Sequence, residues 1–326
     1  MNASPLTFPL LRLLADGRFH SGAALAAALG ASPAAVRSHV RAVEQLGMRV
    51  QRAPGRGYGL GEALDLLDAE QLREALQGAY AVEVVDECSS TNSVLMDRAR
   101  NGAGHGLALA CEYQTAGRGR RGRHWRSGIG TDLTFSVLWR FPRGAATLSG
   151  LSLAVGVALV RALGNLGHGG VQLKWPNDLM LGGRKLGGVL IEVAGGHGGP
   201  AAVVIGVGLN VRWNAGRDAI VDQPATGLPE GVGAARTRTE LLAALLLEMH
   251  AALTLFGRSG FAPFRDEWLE HHAWQGRRVT LRGADGDASQ KLAEGEAVGV
   301  AEDGALLLRS AQGIVRFHSG ELRLAG

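Results

Sequence analysis

Two cysteines in 326 residues, Cys88 and Cys111, are too few and too far apart for a disulfide framework or a tetrahedral zinc site, so a reduced, cytoplasmic compartment is expected. Long apolar runs are absent as well. No uninterrupted stretch approaches a membrane span, and no basic segment precedes an apolar one at the N-terminus, so a soluble protein without a membrane partner is expected. Lysine is scarce: only Lys174, Lys185 and Lys291 occur among 34 basic residues, leaving 31 arginines. Basic positions in this chain default to arginine, and a lysine marks a place where a compact ammonium does what a guanidinium cannot. The net charge of +4 is mild and excludes a general polyanion binder.

Against that background one stretch stands out. Gly117-Arg118-Gly119-Arg120-Arg121-Gly122-Arg123-His124-Trp125 offers nothing to bury and is poor material for helix or strand. It reads as a flexible loop whose backbone N–H groups and guanidiniums wrap an anion, with an aromatic face at its end for a base. Strands over Leu107–Glu112 and Leu133–Trp139 feed and leave it, the second with Leu133, Phe135, Val137 and Trp139 alternating inward.

Residues 8–60 read as a winged helix-turn-helix. Ser21 and Ser32 are N-caps, Pro33 opens the second helix, Gly30 and Gly47 end the helices, and Arg52 to Leu60 forms two short strands around a basic turn. Val36, Val40 and Val43 share one face of the recognition helix. Arg37, Ser38 and Arg41, with Arg52 and Arg56 of the wing, form a cationic face suited to DNA. A helical connector carrying Leu64, Leu67, Leu72 and Leu76 follows. The boundaries read from the chain are 1–63 for the winged helix, 64–79 for the connector, 80–274 for a central domain and 275–326 for a small antiparallel β domain.

Within the central domain, Ser89 to Asn92 leads into a helix, where capping alone accounts for the hydroxyls. Trp175-Pro176-Asn177-Asp178 is a turn, and Leu179 to Val193 a hairpin. The strand over Ala201–Val211 holds Gly206 and Gly208, which signal a bulge or the close approach of a ligand. Gly195 to Pro200 and Arg212 to Ala235 read as loops.

Three blocks, the glycine–arginine stretch, Lys174-Trp175-Pro176-Asn177-Asp178-Leu179 running into Arg184-Lys185-Leu186-Gly187-Gly188, and Gly206-Val207-Gly208-Leu209-Asn210-Val211, resemble the bifunctional biotin protein ligases that also repress the biotin operon. The resemblance implies an α+β multidomain fold: a winged helix-turn-helix, a mixed-sheet catalytic domain related to class II aminoacyl-tRNA synthetases and lipoate ligases, and an SH3-like β-barrel. It implies ATP and biotin as substrates with Mg²⁺, formation of biotinyl-5′-AMP, and transfer of biotin to a lysine of a biotin carboxyl carrier protein.

The site residues follow from the same resemblance. Lys185, Arg118 and Arg120 are expected at the reacting atoms, and Ser90, Thr91, Asn92, Gln114, Gly119 and Gly188 around biotin. Arg121, Arg123, Trp125, Asn177, Asp178 and Asn210 are expected around ATP, with Asp178 on the metal. Operator DNA is implied as a further partner, as is a homodimer of the adenylate-bound protein, formed by joining sheet edges with Val203–Val211 as the candidate edge. The alternatives are a biotin-sensing regulator that does not ligate and a lipoate protein ligase.

Overall fold

The computed structural model describes residues 6–142, 144–194, 200–213, 223–229, 237–283 and 291–325. The chain divides into two compact units, the first ending at Asp68 and the second starting at Ala69.

In the first unit, α1 (Thr7–Leu14), α2 (Gly22–Ala28) and α3 (Pro33–Gln45) precede a two-stranded wing, β1 (Gln51–Ala53) and β2 (Gly57–Gly59). The caps are those expected. Ser21 accepts from the Ala24 N–H and Ser32 from the Ala35 N–H, each oxygen satisfying a donor that the helix cannot. Val36, Val40 and Val43 are buried with Leu10, Leu11 and Leu14, so α3 presents its polar face outward.

The second unit opens with α4 (Ala69–Leu76), so the expected connector is helical only in its second half. A seven-stranded mixed sheet follows, ordered β3-β4-β5-β9-β8-β7-β6. Its strands are β3 (Ala81–Cys88), β4 (Leu107–Gln114), β5 (Asp132–Phe141), β6 (Gln172–Lys174), β7 (Asp178–Leu181), β8 (Arg184–Ala194) and β9 (Ala201–Asn210). The pair β3/β4 is parallel and the other pairs are antiparallel. Helix α5 (Thr91–Arg100) covers one face, its Leu95 and Met96 packed with Leu109, Leu138 and Val204. Helices α6 (Leu151–Asn165) and α7 (Arg238–Ser259) cover the other, where the Trp139 ring meets His250 and Phe141 meets Phe256. By length and composition α7 is apolar enough to cross a membrane; here its apolar side is the buried layer against α6 and the sheet.

Two expectations are corrected. β5 does not alternate between core and solvent: with helices on both faces it is buried along nearly its whole length, and its even positions, Thr134, Ser136 and Leu138, face the α5 side. β9 is not an edge; it lies between β5 and β8. The sheet ends on β3 and β6, and a further stretch paired on one side lies inside it. Strand β7 pairs with β8 only as far as Gly188, so among the described residues Val189–Ala194 has a strand neighbour on one side alone.

After α8 (Arg265–Glu270), a five-stranded antiparallel sheet is formed by β10 (Arg278–Arg282), β11 (Lys291–Val300), β12 (Leu306–Ser310), β13 (Gly313–Phe317) and β14 (Glu321–Leu324), ordered β13-β12-β11-β10-β14. The strand β14 has no counterpart in the sequence reading. The expected loop at 195–199 and most of the one at 212–235 lie outside the described residues.

Candidate functional site

A cavity of about 400 Å³ opens on the α5 face of the large sheet. It gathers the residues expected around biotin (Ser90, Thr91, Asn92, Gln114, Arg118, Gly119, Lys185 and Gly188) and those expected around ATP (Arg120, Arg121, Arg123, Trp125, Asn177, Asp178 and Asn210). Segments more than a hundred residues apart meet here because β4, β5, β8 and β9 are neighbours in the sheet and the loops at their ends converge.

One hydrogen-bonded set is organised around the start of α5. Ser90 makes no capping bond with its side chain, and Thr91 and Asn92 are spent on the cavity, so the capping expectation gives way. The Thr91 N–H donates to Gln114 Oε1 (2.8 Å). Ser136 Oγ, fully buried, lies 2.7 Å from Thr91 Oγ1 and 2.6 Å from Asn92 Oδ1. The Asn92 amide donates to Glu192 Oε2 (2.9 Å) and the Leu190 carbonyl (3.3 Å), which fixes its orientation. Gly206 is where Asn92 crosses the sheet: a Cβ there would lie 2.0 Å from Asn92 Oδ1. Gly208 plays the same part for Trp125, whose ring would be 2.4 Å from an added Cβ. Close approach is thus the reason for both glycines, with side chains of this chain as the approaching groups.

A second set surrounds Asp178. Lys185 Nζ is 2.7 Å from Asp178 Oδ1 and Lys174 Nζ 3.8 Å from Oδ2, while Lys174 also sits over the Trp274 ring at 4.7 Å. Burial pulls the Lys174 ammonium below its ordinary pKa, Asp178 opposes that and Lys185 adds to it. Arg120 donates to Asn177 Oδ1 (3.0 Å), and the Asn177 amide donates to the Val189 carbonyl (2.8 Å). Arg120 is also held below its ordinary pKa, by burial first and then by Arg121. Asn210, on the cavity wall, uses its amide N–H groups on the Thr226 (3.1 Å) and Lys185 (3.5 Å) carbonyls.

The glycine–arginine stretch closes on itself as a small hairpin, with Trp125 N–H donating to the Gly117 carbonyl and Gly119 N–H to the Arg123 carbonyl. Its arginines diverge. Arg118 pairs with Glu192 and donates to Ser93 Oγ (3.1 Å). Arg121 pairs with Glu321 (2.9 Å) and donates to the Gly283 carbonyl (2.5 Å), and Arg123 pairs with Glu321 too. Glu321 belongs to β14, so one wall of the cavity comes from the small C-terminal sheet.

Ser136, Glu192 and Glu321 are missing from the sequence reading, and Lys174 is marked there only by its residue type and motif; alternation along β5 and β8 places the first two on the cavity side once the α5 face is known. A further buried set supports the loop from below: Arg238 donates to Glu112 (2.9 Å) and to the Asp132 carbonyl, and Asp132 accepts the Gly128 N–H (2.8 Å). In the first unit Arg37, Ser38 and Arg41 are exposed on α3, whereas Arg52 is bound to Glu44 (2.7 and 2.8 Å) and Arg56 lies over the Phe19 ring at 4.5 Å.

Residues 85–210 match the biotin/lipoate A/B protein ligase family, 276–322 the biotin protein ligase C-terminal domain, and 8–59 an HTH domain. The chain is 39% identical to the bifunctional ligase/repressor BirA of Escherichia coli over 325 residues, covering 99% of this chain and 98% of that protein. To the protein of the same name in Bacillus subtilis it is 28% identical, covering 95% of each. Among solved structures, the biotin protein ligase from Aquifex aeolicus in complex with biotin and ATP superposes with a TM-score of 0.63 at 28% identity, over 75% of this chain and 99% of that one. At 39% identity over nearly the whole of both chains, and with its three matched domains, the chain belongs to the bifunctional ligase/repressor family of biotin protein ligases.

Proposed function

We propose that the protein condenses biotin with ATP to biotinyl-5′-AMP, releasing pyrophosphate, and passes biotin to a lysine of a biotin carboxyl carrier protein, while its N-terminal unit binds operator DNA and represses transcription. The observation that carries the enzyme reading is the joining of two differently built polar sets on one cavity. Around Thr91, Asn92 and Gln114 the groups offer both donors and acceptors, as a cyclic urea requires. Around Asp178 the cations Lys185, Lys174 and Arg120 exceed the anions, as a carboxylate meeting a phosphate requires.

The chemistry needs no protein nucleophile. A carboxylate oxygen of biotin attacks the α-phosphorus and pyrophosphate leaves; later the carrier amine attacks the acyl carbon and AMP leaves with that oxygen. Lys185 stands beside both anions in this reading and holds them together, with Arg120 and Asn177 on the phosphate side. Arg121 and Arg123 contact the phosphate tail, Trp125 packs on the adenine, and the Asn210 oxygen accepts from its amine. Mg²⁺, which Asp178 would help to hold, would when bound neutralise charge on the phosphates. Among the described residues no cluster of three metal-ligating side chains exists, and Asp178 is already shared by two ammoniums, so this single carboxylate suits an ion held mainly by the phosphates and its own waters. For the dimer, the open edge of β8 at Val189–Ala194 replaces Val203–Val211 as the segment that a second copy extends.

Incubation of a carrier-protein fragment with biotin, MgATP and this protein is expected to add the mass of one biotin to the fragment. An unmodified fragment, alongside biotin-dependent ATP–pyrophosphate exchange at background, would overturn the reading.

A further inference from the structure

The hairpin at 117–125 packs the Trp125 ring on Gly208 and is otherwise held over the cavity by polar tethers. Arg118 is held by Glu192 and Ser93, Arg120 by Asn177, and Arg121 with Arg123 by Glu321, Arg121 also donating to the Gly283 carbonyl. Glu192 is set apart because it also holds a side chain at the start of α5. One oxygen of Glu192 takes the Arg118 guanidinium and the other takes the Asn92 amide, which in turn is fixed by Ser136. One carboxylate on β8 therefore joins the hairpin, a lid over the cavity in this reading, to Asn92 at the start of α5, beside the direct bond from Arg118 to Ser93.

We propose that Glu192 is a positioning residue that latches the lid hairpin through Arg118 and orients Asn92 through its second oxygen, so that retention of the reactive adenylate depends on it. This rests on the ligase reading above. Glu192 touches neither phosphate nor acyl carbon in this scheme; it acts through Arg118 and Asn92. Its side chain is 20% exposed and that of Arg118 46%, which places the pair between a solvated surface ion pair and a buried charge-assisted one. A loosened lid admits water to the mixed anhydride or lets it escape, so intermediate retention is the sensitive quantity and the rate of its formation is not.

The test uses the full-length protein loaded with biotin and MgATP and then diluted into excess unlabelled biotin, following loss of the bound adenylate. Glu192→Gln is expected to speed that loss about five- to tenfold, with the initial rate of adenylate formation at saturating substrates changed less than twofold. In an Arg118→Gln background the same substitution is expected to change the loss less than twofold, because a Gln oxygen still accepts from the Asn92 amide and only the pairing with Arg118 is lost. Wild-type retention in Glu192→Gln, or the same acceleration with and without Arg118, would overturn the proposal. Should Glu192→Gln fail to fold, as judged by its circular dichroism, Glu192→Asp, which keeps the charge and shortens the reach, is read by the same two criteria. A wild-type protein that forms no adenylate would remove the ligase reading itself, an outcome distinct from normal formation with unaltered retention.

Discussion

Lys185 and Lys174 share one carboxylate, and that sharing explains why lysine survives here in a chain that otherwise uses arginine. Two guanidinium forks could not both reach Asp178 within so small a space, whereas two ammoniums can, leaving a net positive site for an incoming anion. Lys185→Ala is expected to lower biotin-dependent ATP–pyrophosphate exchange by about 10²- to 10³-fold, the scale of losing one preorganised charge at a developing anion, with the fold unchanged by circular dichroism. Exchange within tenfold of wild type would remove Lys185 from the reaction. Gly206 has a steric role instead. Gly206→Ala drives a methyl into Asn92 Oδ1, and Asn92 has no slack because both ends of its amide are engaged. Biotin affinity measured by calorimetry is expected to fall at least about tenfold, the cost of one or more broken hydrogen bonds in the head-group set. At this scale the sequence reading named residues that line one cavity but not Ser136 and Glu192, which hold them. Ser136 and Glu192 are unremarkable in a strand until the two covered faces of the sheet are known, and Ser90 to Asn92 resemble an ordinary cap.

The lid hairpin is an element whose conformation is not self-sufficient. Arg121 sits at φ 59°, ψ 38°, a left-handed conformation that costs a non-glycine residue about 1 kcal/mol or more. Glu321 and the Gly283 carbonyl hold it there from the C-terminal sheet. Glu321→Ala removes the carboxylate that Arg121 and Arg123 share, so tryptic cleavage between Arg118 and Arg126 in the ligand-free protein is expected to accelerate several-fold. Biotin plus ATP is expected to slow it in the wild type. Equal cleavage of variant and wild type would show that the hairpin holds itself. The loop was legible in the sequence from its composition; its anchor was not, because β14 is only four residues long. The misplaced sheet edge has a similar origin. Ala201–Asn210 is a nearly continuous apolar run, which befits a central strand, while the open edge arises from a mismatch in length between β7, with four residues, and β8, with eleven. Such a mismatch is a property of pairing and cannot be read from either strand alone.

For the whole molecule, stability and DNA recognition each follow from which charged groups have been spent on the fold. His168 and His272 are buried, and loss of water pushes both below the ordinary histidine value, with the Gln275 bond opposing this at His272. In the unfolded chain these rings take up protons below about pH 6.5, while in the folded protein they resist until lower pH, so unfolding binds protons and stability falls as pH drops through this window. The thermal midpoint is expected to decline from pH 7.5 to 5.5, and His272→Gln to flatten that slope; a slope unchanged by the substitution would exclude this ring as its source. In the N-terminal unit the cationic face predicted from sequence is unevenly available. Arg37 and Arg41 point outward from α3 with no hydrogen-bonded carboxylate among the described residues, Arg41 sharing only the field of Glu44, whereas Arg52 is held by both oxygens of Glu44, which lies on the same helix. A phosphate must break Arg52 from Glu44 but displaces no hydrogen-bonded carboxylate at Arg37 or Arg41. Arg37→Ala and Arg41→Ala are therefore each expected to weaken operator binding and to reduce the dependence of log K on log salt by about one, with a smaller change for Arg52→Ala. Fluorescence anisotropy with labelled operator DNA across a salt series separates these outcomes, and a slope reduced equally by all three substitutions would show that the Glu44–Arg52 pair opens on DNA.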